Sequence, residues 1–273
     1  MSSAIQPLDG DWPGVRLSQD GTVLTVTIDR PAARGALDAA TMQSLTEIAR
    51  RVRRSSAVQA VILTGQADYF SAGVDLQMSS SRNASEASLL ELRSAVAAGP
   101  DMCQAWEEIE AITIVAIEGF CVGGAFALAL ACDFRIMGEG AFVRLPEVPL
   151  GMNMSWRTLP RLTALAGPAR AKQVALFGDP VDAAHCLEWG IAEVACAKGE
   201  ALAEARRWAA RIAALPPIPA RMTKEAVNAA ALANAAAVSF MDRDQYLLAS
   251  RSEDFREGVS AFLAKRKPEF KGN

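Results

Sequence analysis

Apolar and polar residues alternate with period two over 15–19 and 22–28, on either side of Asp20-Gly21. Asp-Gly between two alternating runs is a strong turn signal, so a β-hairpin is expected at the start of the chain. Beyond Arg30-Pro31 the period lengthens. Met42, Leu45, Ile48, Ala49 and Val52 share one face of a helix that Asp38 or Thr41 can cap and that runs to about residue 54. Residues 58–63 are a short β-branched run, the pattern of a buried strand. A polar stretch over 77–86, rich in serine, then interrupts the pattern before a helix expected at 87–98.

Residues 112–117 and 134–137 repeat the buried-strand pattern. Between them Gly123-Gly124 opens a helix whose residues are almost all apolar, and such a helix has to be buried. From Trp156 onward the chain reads as helical, over 157–165, 169–177, 182–189 and 200–215. Pro216-Pro217 and Pro219 break the pattern before further helix, the last near 253–264. Strands alternating with helices, then an all-helical third, predict an α/β core with a C-terminal helical subdomain. The division is placed between 1–200 and 201–273.

Composition narrows the function classes. At 273 residues, 51% of them hydrophobic, the chain can bury a substantial core, yet no apolar run is long enough to cross a bilayer. The first residues, Met1-Ser2-Ser3-Ala4-Ile5, have neither a basic start nor an apolar signal core, so a cytoplasmic location without membrane contact is expected. Five cysteines with no Cys-x-x-Cys read as buried free thiols in a reducing compartment. The sole histidine, His185, rules out a multi-histidine metal site and falls on a polar helix pattern. A net charge of −3 with mixed signs throughout gives no nucleic-acid-binding surface. The spacing of Gly119, Gly123 and Gly124 is not G-x-G-x-x-G, which argues against a dinucleotide site.

Two glycine-bearing turns, Ser71-Ala72-Gly73-Val74-Asp75 and Val122-Gly123-Gly124-Ala125, can offer backbone N–H groups to one oxygen. Gly124 stands ahead of a helix, whose N-terminal dipole favours an anion. Downstream, Glu147 lies between Pro146 and Pro149 in a stiffened loop with apolar neighbours. Such surroundings raise a carboxyl pKa toward the range of a working base. Chemistry next to a carbonyl is the reading.

These motifs resemble the enoyl-CoA hydratase/isomerase family, the crotonase superfamily, and the likeness runs from about Val15 to Lys271. Arg30-Pro31-Ala32-Ala33-Arg34-Gly35-Ala36-Leu37 is similar to its RPxxRNAL segment. Residues 60–65 with 70–76 resemble its strand and first oxyanion loop, and 117–125 with Cys132-Asp133 its second. Within residues 142–151, Pro146-Glu147-Val148-Pro149-Leu150-Gly151 matches the PExxLG of FxxPExxLG, and Phe255-Arg256-Glu257-Gly258 with 265–270 match the C-terminal ending. The resemblance implies a spiral of ββα turns with C-terminal helices that mediate trimerisation, two trimers commonly stacking into a hexamer. It implies an acyl-CoA substrate, an oxyanion hole made by the N–H groups of Val74 and Gly124, and Glu147 as acid/base. No cofactor beyond the substrate's own coenzyme A is expected. Ala72 and Asp75 would border the adenine and thioester. Arg34, Lys265 and Lys267, with Arg266, would meet the phosphates, the C-terminal lysine reaching a neighbouring subunit's ligand.

The departures set the expected reaction. Aligned with GGGxEL, Gly123-Gly124-Ala125-Phe126-Ala127-Leu128 puts Ala127 where hydratases carry a second glutamate. Hydration must activate a water and protonate a carbon, whereas moving a double bond needs one base that removes and returns a proton. The chain is therefore expected to be a Δ3 to Δ2 enoyl-CoA isomerase using Glu147 alone. The alternatives are a hydratase or other lyase with a substitute acid, such as Asp75, Glu118 or a group of the substrate, and a non-catalytic acyl-CoA-binding protein. Trp156, in a stretch that replaces the family's glycines, either fills the acyl pocket or packs at a helix start, and Ser155 is a candidate cap for that helix.

Overall fold

The computed structural model describes residues 8, 10–75 and 88–273. The extreme N-terminus and the polar stretch expected over 77–86 lie outside the described residues. The hairpin forms as β1 (Val15–Asp20) and β2 (Val23–Ile28). Asp20 pairs with Val23, so the two-residue loop is Gly21-Thr22, one position later than the sequence suggested. Gly21 has φ +55°, and type II′ turns reserve that first loop position for glycine.

A six-stranded sheet carries the fold in the order β1, β2, β3 (Ala60–Thr64), β4 (Ile112–Ile117), β6 (Phe134–Gly138), β9 (Val194–Cys196). All neighbours beyond the opening hairpin pair in parallel. Three short strands, β5 (Phe120–Val122), β7 (Phe142–Arg144) and β8 (Val181–Asp182), make a second sheet. Strands β4, β5 and the helix that follows give one ββα turn of the expected spiral.

The central strands are buried on both faces, as their unbroken apolar runs require. Val61, Leu63, Val115 and Ile117 point into the main core, where they join α1 (Ala39–Val52), α3 (Ala98–Glu107) and α4 (Gly124–Leu130). The alternate residues Ala60, Ile62, Ile114 and Ala116 face the other way, against Ala201, Ala205 and Ala209 of α7 (Ala201–Ala213). Alanine at every fourth position lets that helix lie close on the sheet. The division expected after residue 200 thus falls at a helix packed into the core.

Asp38 caps α1, its carboxylate accepting from the Thr41 N–H at 2.8 Å. The helix expected near 87–98 is α2 (Leu89–Ala95), started by a Ser88–Glu91 capping box, and α3, which the sequence pattern did not suggest, follows it with Pro100 in its first turn. Proline has no N–H to give and suits that position. Every residue of α4 is buried. The pair of helices expected at 157–165 and 169–177 is α5 (Thr158–Phe177), broken at Gly167 with φ 76° and ψ 166°. After α6 (Ala183–Glu188) and α7 come α8 (Pro217–Ala231), α9 (Ala235–Ser239), α10 (Asp242–Ala249) and α11 (Glu253–Leu263). Lys224 pins α8 to the sheet, its ammonium lying 2.7 Å from Asp133 and donating to the Ala111 carbonyl. No helix among the described residues is long and apolar enough to cross a membrane. The five cysteines are free thiols and four are buried.

Candidate active site

Sheet register hangs the two glycine turns side by side. The N–H groups of Phe70 and Ser71 donate to the Phe120 carbonyl at 3.1 Å, and the Val122 N–H donates to the Ser71 carbonyl at 3.1 Å. On its other side the first turn is bridged to Leu37, whose N–H donates to the Gly73 carbonyl while its carbonyl accepts from the Asp75 N–H. In this parallel bridge the N–H of Val74 itself is left over, without a partner among the described residues. A Cβ on Gly73 would collide with the Val122 carbonyl and sit 3.5 Å from the Gly124 nitrogen, so glycine allows the two turns to touch.

Gly123 has φ 55° and ψ −123°, a conformation open to glycine. It turns the chain so that Gly124 begins α4, and the first N–H groups of a helix have no partner inside it. The N–H groups of Val74 and Gly124 are thereby presented from adjacent turns. Gly35, standing where the resembled motif has asparagine, has φ +69°, a turn conformation both residues accept.

Glu147 faces the same turn. A Cβ on Gly123 would lie 2.7 Å from its Oε1, and its Oε2 is buried with no hydrogen-bond partner among the described residues. Burial pushes its pKa up to about 7, against the opposing pull of its own backbone N–H and the Arg144 charge. The carboxyl is therefore poised to take and return a proton near neutral pH. Behind it, Gly151 packs against Asp254 and Phe255, and Gly258 against Leu150, so α11 braces the loop.

One cavity of about 780 Å³ gathers these groups. Ala72, Val74, Asp75, Gly124, Glu147 and Trp156 all line it, whereas Arg34, Lys265 and Lys267 do not. Arg34 is exposed and reaches the first turn only through its carbonyl, which accepts from the Ala72 N–H at 3.1 Å. Lys265 and Lys267 are exposed beyond the end of α11.

The substitute acids are engaged elsewhere. Asp75 pairs with Arg30 at 3.7 Å. Glu118 does not line the cavity; its Oε1 accepts from the Ala201 N–H at 3.0 Å and so holds the start of α7. Ala127 is fully buried in the core and does not reach the cavity. Glu91, also on the cavity wall, is tied to Ser88 by its capping box.

Trp156 lies against both Gly99 and Gly124; a Cβ on Gly124 would be 2.5 Å from its ring and 3.1 Å from the Val74 side chain. Its φ of +62° and that of Arg157, +55°, are unusual for residues with side chains. Arg161 donates to the Trp156 carbonyl at 2.8 Å, and the Arg157 N–H donates to the Asp242 carboxylate at 2.9 Å, which fixes the bend. Ser155 serves the following helix with its carbonyl rather than its hydroxyl, accepting from Thr158 Oγ1 at 2.6 Å.

Sequence reasoning missed the opposite contribution to the wall, Arg243 and Tyr246 of α10, Arg251 between the helices, and Phe255 and Arg256 of α11. Tyr246 is near enough to Glu147 that burial and the carboxylate charge together raise its phenol pKa. Phe255 and Arg256 fall in the C-terminal motif, but nothing in it assigns them to this wall, and Arg243, Tyr246 and Arg251 lie in no motif, so only the fold brings them here.

Two touching glycine turns, a helix start and a buried carboxylate thus share one cavity at the edge of a parallel sheet. The chain belongs to the enoyl-CoA hydratase/isomerase family, whose sequence profile matches residues 18–273. It is 31% identical to a probable enoyl-CoA hydratase of Mycobacterium tuberculosis over 94% of this chain and 97% of that one. It is 30% identical to the crotonyl-CoA hydratase of Syntrophomonas wolfei, over 95% of this chain and 98% of that one. A crystal structure of an enoyl-CoA hydratase from Mycobacterium avium subsp. paratuberculosis shares the fold, with TM-score 0.84 and 24% identity over 94% of this chain and 98% of the other.

Proposed function

We propose that this enzyme is an enoyl-CoA isomerase in which Glu147 alone carries the proton. A 3-enoyl thioester would rest with its carbonyl oxygen between the N–H groups of Val74 and Gly124. Glu147 takes a proton from C2, the electron pair spreads through the dienolate to that oxygen, and the protonated Glu147 returns the proton at C4. The double bond is then between C2 and C3, with atoms and charge conserved. Two fixed donors stabilise the charge where it develops, each worth about 10²–10³ in rate.

The observation that carries this reading is the state of the carboxylates on the described cavity wall. Asp75 and Glu91 are held by Arg30 and Ser88, Ala127 offers nothing, and Glu147 has a buried oxygen with no partner among the described residues. Trp156, pressed on Gly124, takes space beside the reacting carbons that a water would otherwise enter. Hydration is the second reading, favoured by the names of the relatives.

Purified protein is expected to convert 3-hexenoyl-CoA to the 2-enoyl thioester and to hydrate crotonyl-CoA slowly. Rapid hydration with 3-hexenoyl-CoA untouched would establish the hydratase reading instead. Tight thioester binding with neither reaction would leave a binding protein. Exposed apolar residues on α8 to α10, among them Ile218, Met222, Val238, Phe240 and Leu248, support assembly into the family's trimer. In such an assembly Lys265 and Lys267 would serve a neighbouring subunit's ligand.

A further inference from the structure

Most arginines near the cavity have a carboxylate or carbonyl to hold. Arg30 pairs with Asp38 at 2.9 Å, Arg93 with Asp244 at 2.6 Å, and Arg161 with Glu107 at 2.7 Å; Arg144 donates to the Gly178 carbonyl. Arg243, Arg251 and Arg256 line the same cavity, and their guanidinium groups have no ion pair or hydrogen bond among the described residues. They arrive from adjoining elements, Arg243 in α10, Arg251 just past its end, and Arg256 in the first turns of α11. The carboxylates of the cavity do not neutralise them. Asp75 and Glu91 are already held, and among these arginines and Arg144 only Arg144 acts on the ionisation of Glu147.

Their placement is fixed by the scaffold. The Arg93–Asp244 pair clamps α10 to α2, the Asp242 carboxylate ties the start of α10 to the Trp156–Arg157 bend, and α11 is seated on the loop carrying Glu147. Three guanidinium groups without an ion pair or hydrogen bond among the described residues, Arg243 half-buried beside Asp244 and Arg251 and Arg256 exposed, can together take an oxyanion, since their planar forks match carboxylate and phosphate oxygens. Leu247, Phe255 and Phe262 line the same cavity and give it an apolar surface beside the charges.

We propose that Arg243, Arg251 and Arg256 form an anion subsite that grips a carboxylate or phosphate group of the thioester ligand. This rests on the cavity being the acyl-CoA site. Two sources supply that chemistry, a carboxylate at the far end of the acyl chain and the phosphates of the coenzyme.

The test is calorimetric binding to wild type and to the triple variant Arg243→Gln, Arg251→Gln, Arg256→Gln, with each single variant as a check on folding by thermal melt. Three non-reacting ligands are compared: butyryl-CoA, adipyl-CoA and the phosphate-free S-butyryl-pantetheine. Removing one charge-assisted hydrogen bond weakens affinity by about tenfold. A loss of that size or more confined to adipyl-CoA supports the subsite with the acyl carboxylate as its occupant. A loss shared by both CoA ligands but not by the pantetheine thioester supports it with the phosphates as occupant. Unchanged binding of all three overturns it, as does an equal loss of all three, pantetheine thioester included. Because the ligands do not react, failure of wild-type isomerisation leaves this comparison readable and sinks the proposed reaction alone.

Discussion

The two walls of the cavity are built on different principles. One consists of Ala72–Asp75 and Val122–Gly124, short turns tied by main-chain hydrogen bonds to the sheet and to each other. The other consists of α10 and α11, which face the cavity with long side chains, Arg243, Tyr246, Arg251 and Arg256. The first wall positions backbone dipoles and tolerates no added atom. The second positions flexible charges and can change without disturbing the sheet. The proposed chemistry thus falls to the rigid wall with Glu147 beside it, and the proposed discrimination among ligands to the adaptable one.

That contrast is broken most directly at Glu147. Glu147→Gln is expected to lower the isomerisation rate by about 10²–10⁴, measured as kcat on 3-hexenoyl-CoA, with binding of butyryl-CoA preserved. Next, Gly124→Ala places a Cβ against Trp156 and Val74 and should displace the N–H at the proposed oxyanion position. It should reduce kcat by about 10²–10³. Adding Trp156→Leu to that variant should return part of the loss; if it does not, Trp156 is not what the methyl group meets.

On the helical wall the effects should be smaller and of another kind. Tyr246→Phe is expected to alter kcat by less than about tenfold, because Glu147 handles the proton without it. A larger fall in kcat would move the phenol into the chemistry and erase the contrast.

Acidity gives the finest probe. A base with its pKa near 7 works only when ionised, so kcat/KM should rise with pH through about 7 and then level off. The same group stores a cost. Its folded pKa lies above the ordinary value of 4.5, so the folded state binds more protons than the unfolded chain between these limits. Its contribution to stability is therefore lost as pH rises through about 7. Glu147→Gln should melt higher than wild type at pH 8, by roughly 1–2 kcal/mol of stability, with the gap closing toward pH 5. Equal melting at pH 8 would show that the carboxylate is solvated.

The rigid wall was legible in advance because glycine carries a backbone meaning. Gly73, Gly123 and Gly124 sit where a Cβ would strike Val122, Glu147 or Trp156, and such positions leave a fixed trace in the chain. Glu147 was legible through the prolines that stiffen its loop. The helical wall left no comparable trace, since Arg243 and Arg251 belong to no motif and Arg256 stands in the C-terminal motif without any sign that it faces the cavity. Local pattern also could not distinguish the basic residues that face the cavity from Arg34, Lys265 and Lys267, which do not. Glu118 looked available as an acid because nothing local announces that its partner, the Ala201 N–H, lies far along the chain. Core strands and helices were readable from period alone, while the one-residue shift of the first turn depended on how β1 registers with β2.

The seating of α11 on the loop of Glu147 has a consequence for biosynthesis. A ribosome adding roughly 5–20 residues per second makes residues 254–258 several seconds after it has made Leu150 and Gly151. Until those later residues emerge, the loop lacks its brace and the carboxyl lacks the dry setting that holds its proton. Nascent chains stalled short of residue 253 should accordingly fold their sheet yet turn over no thioester, so competence arrives as a late event of translation.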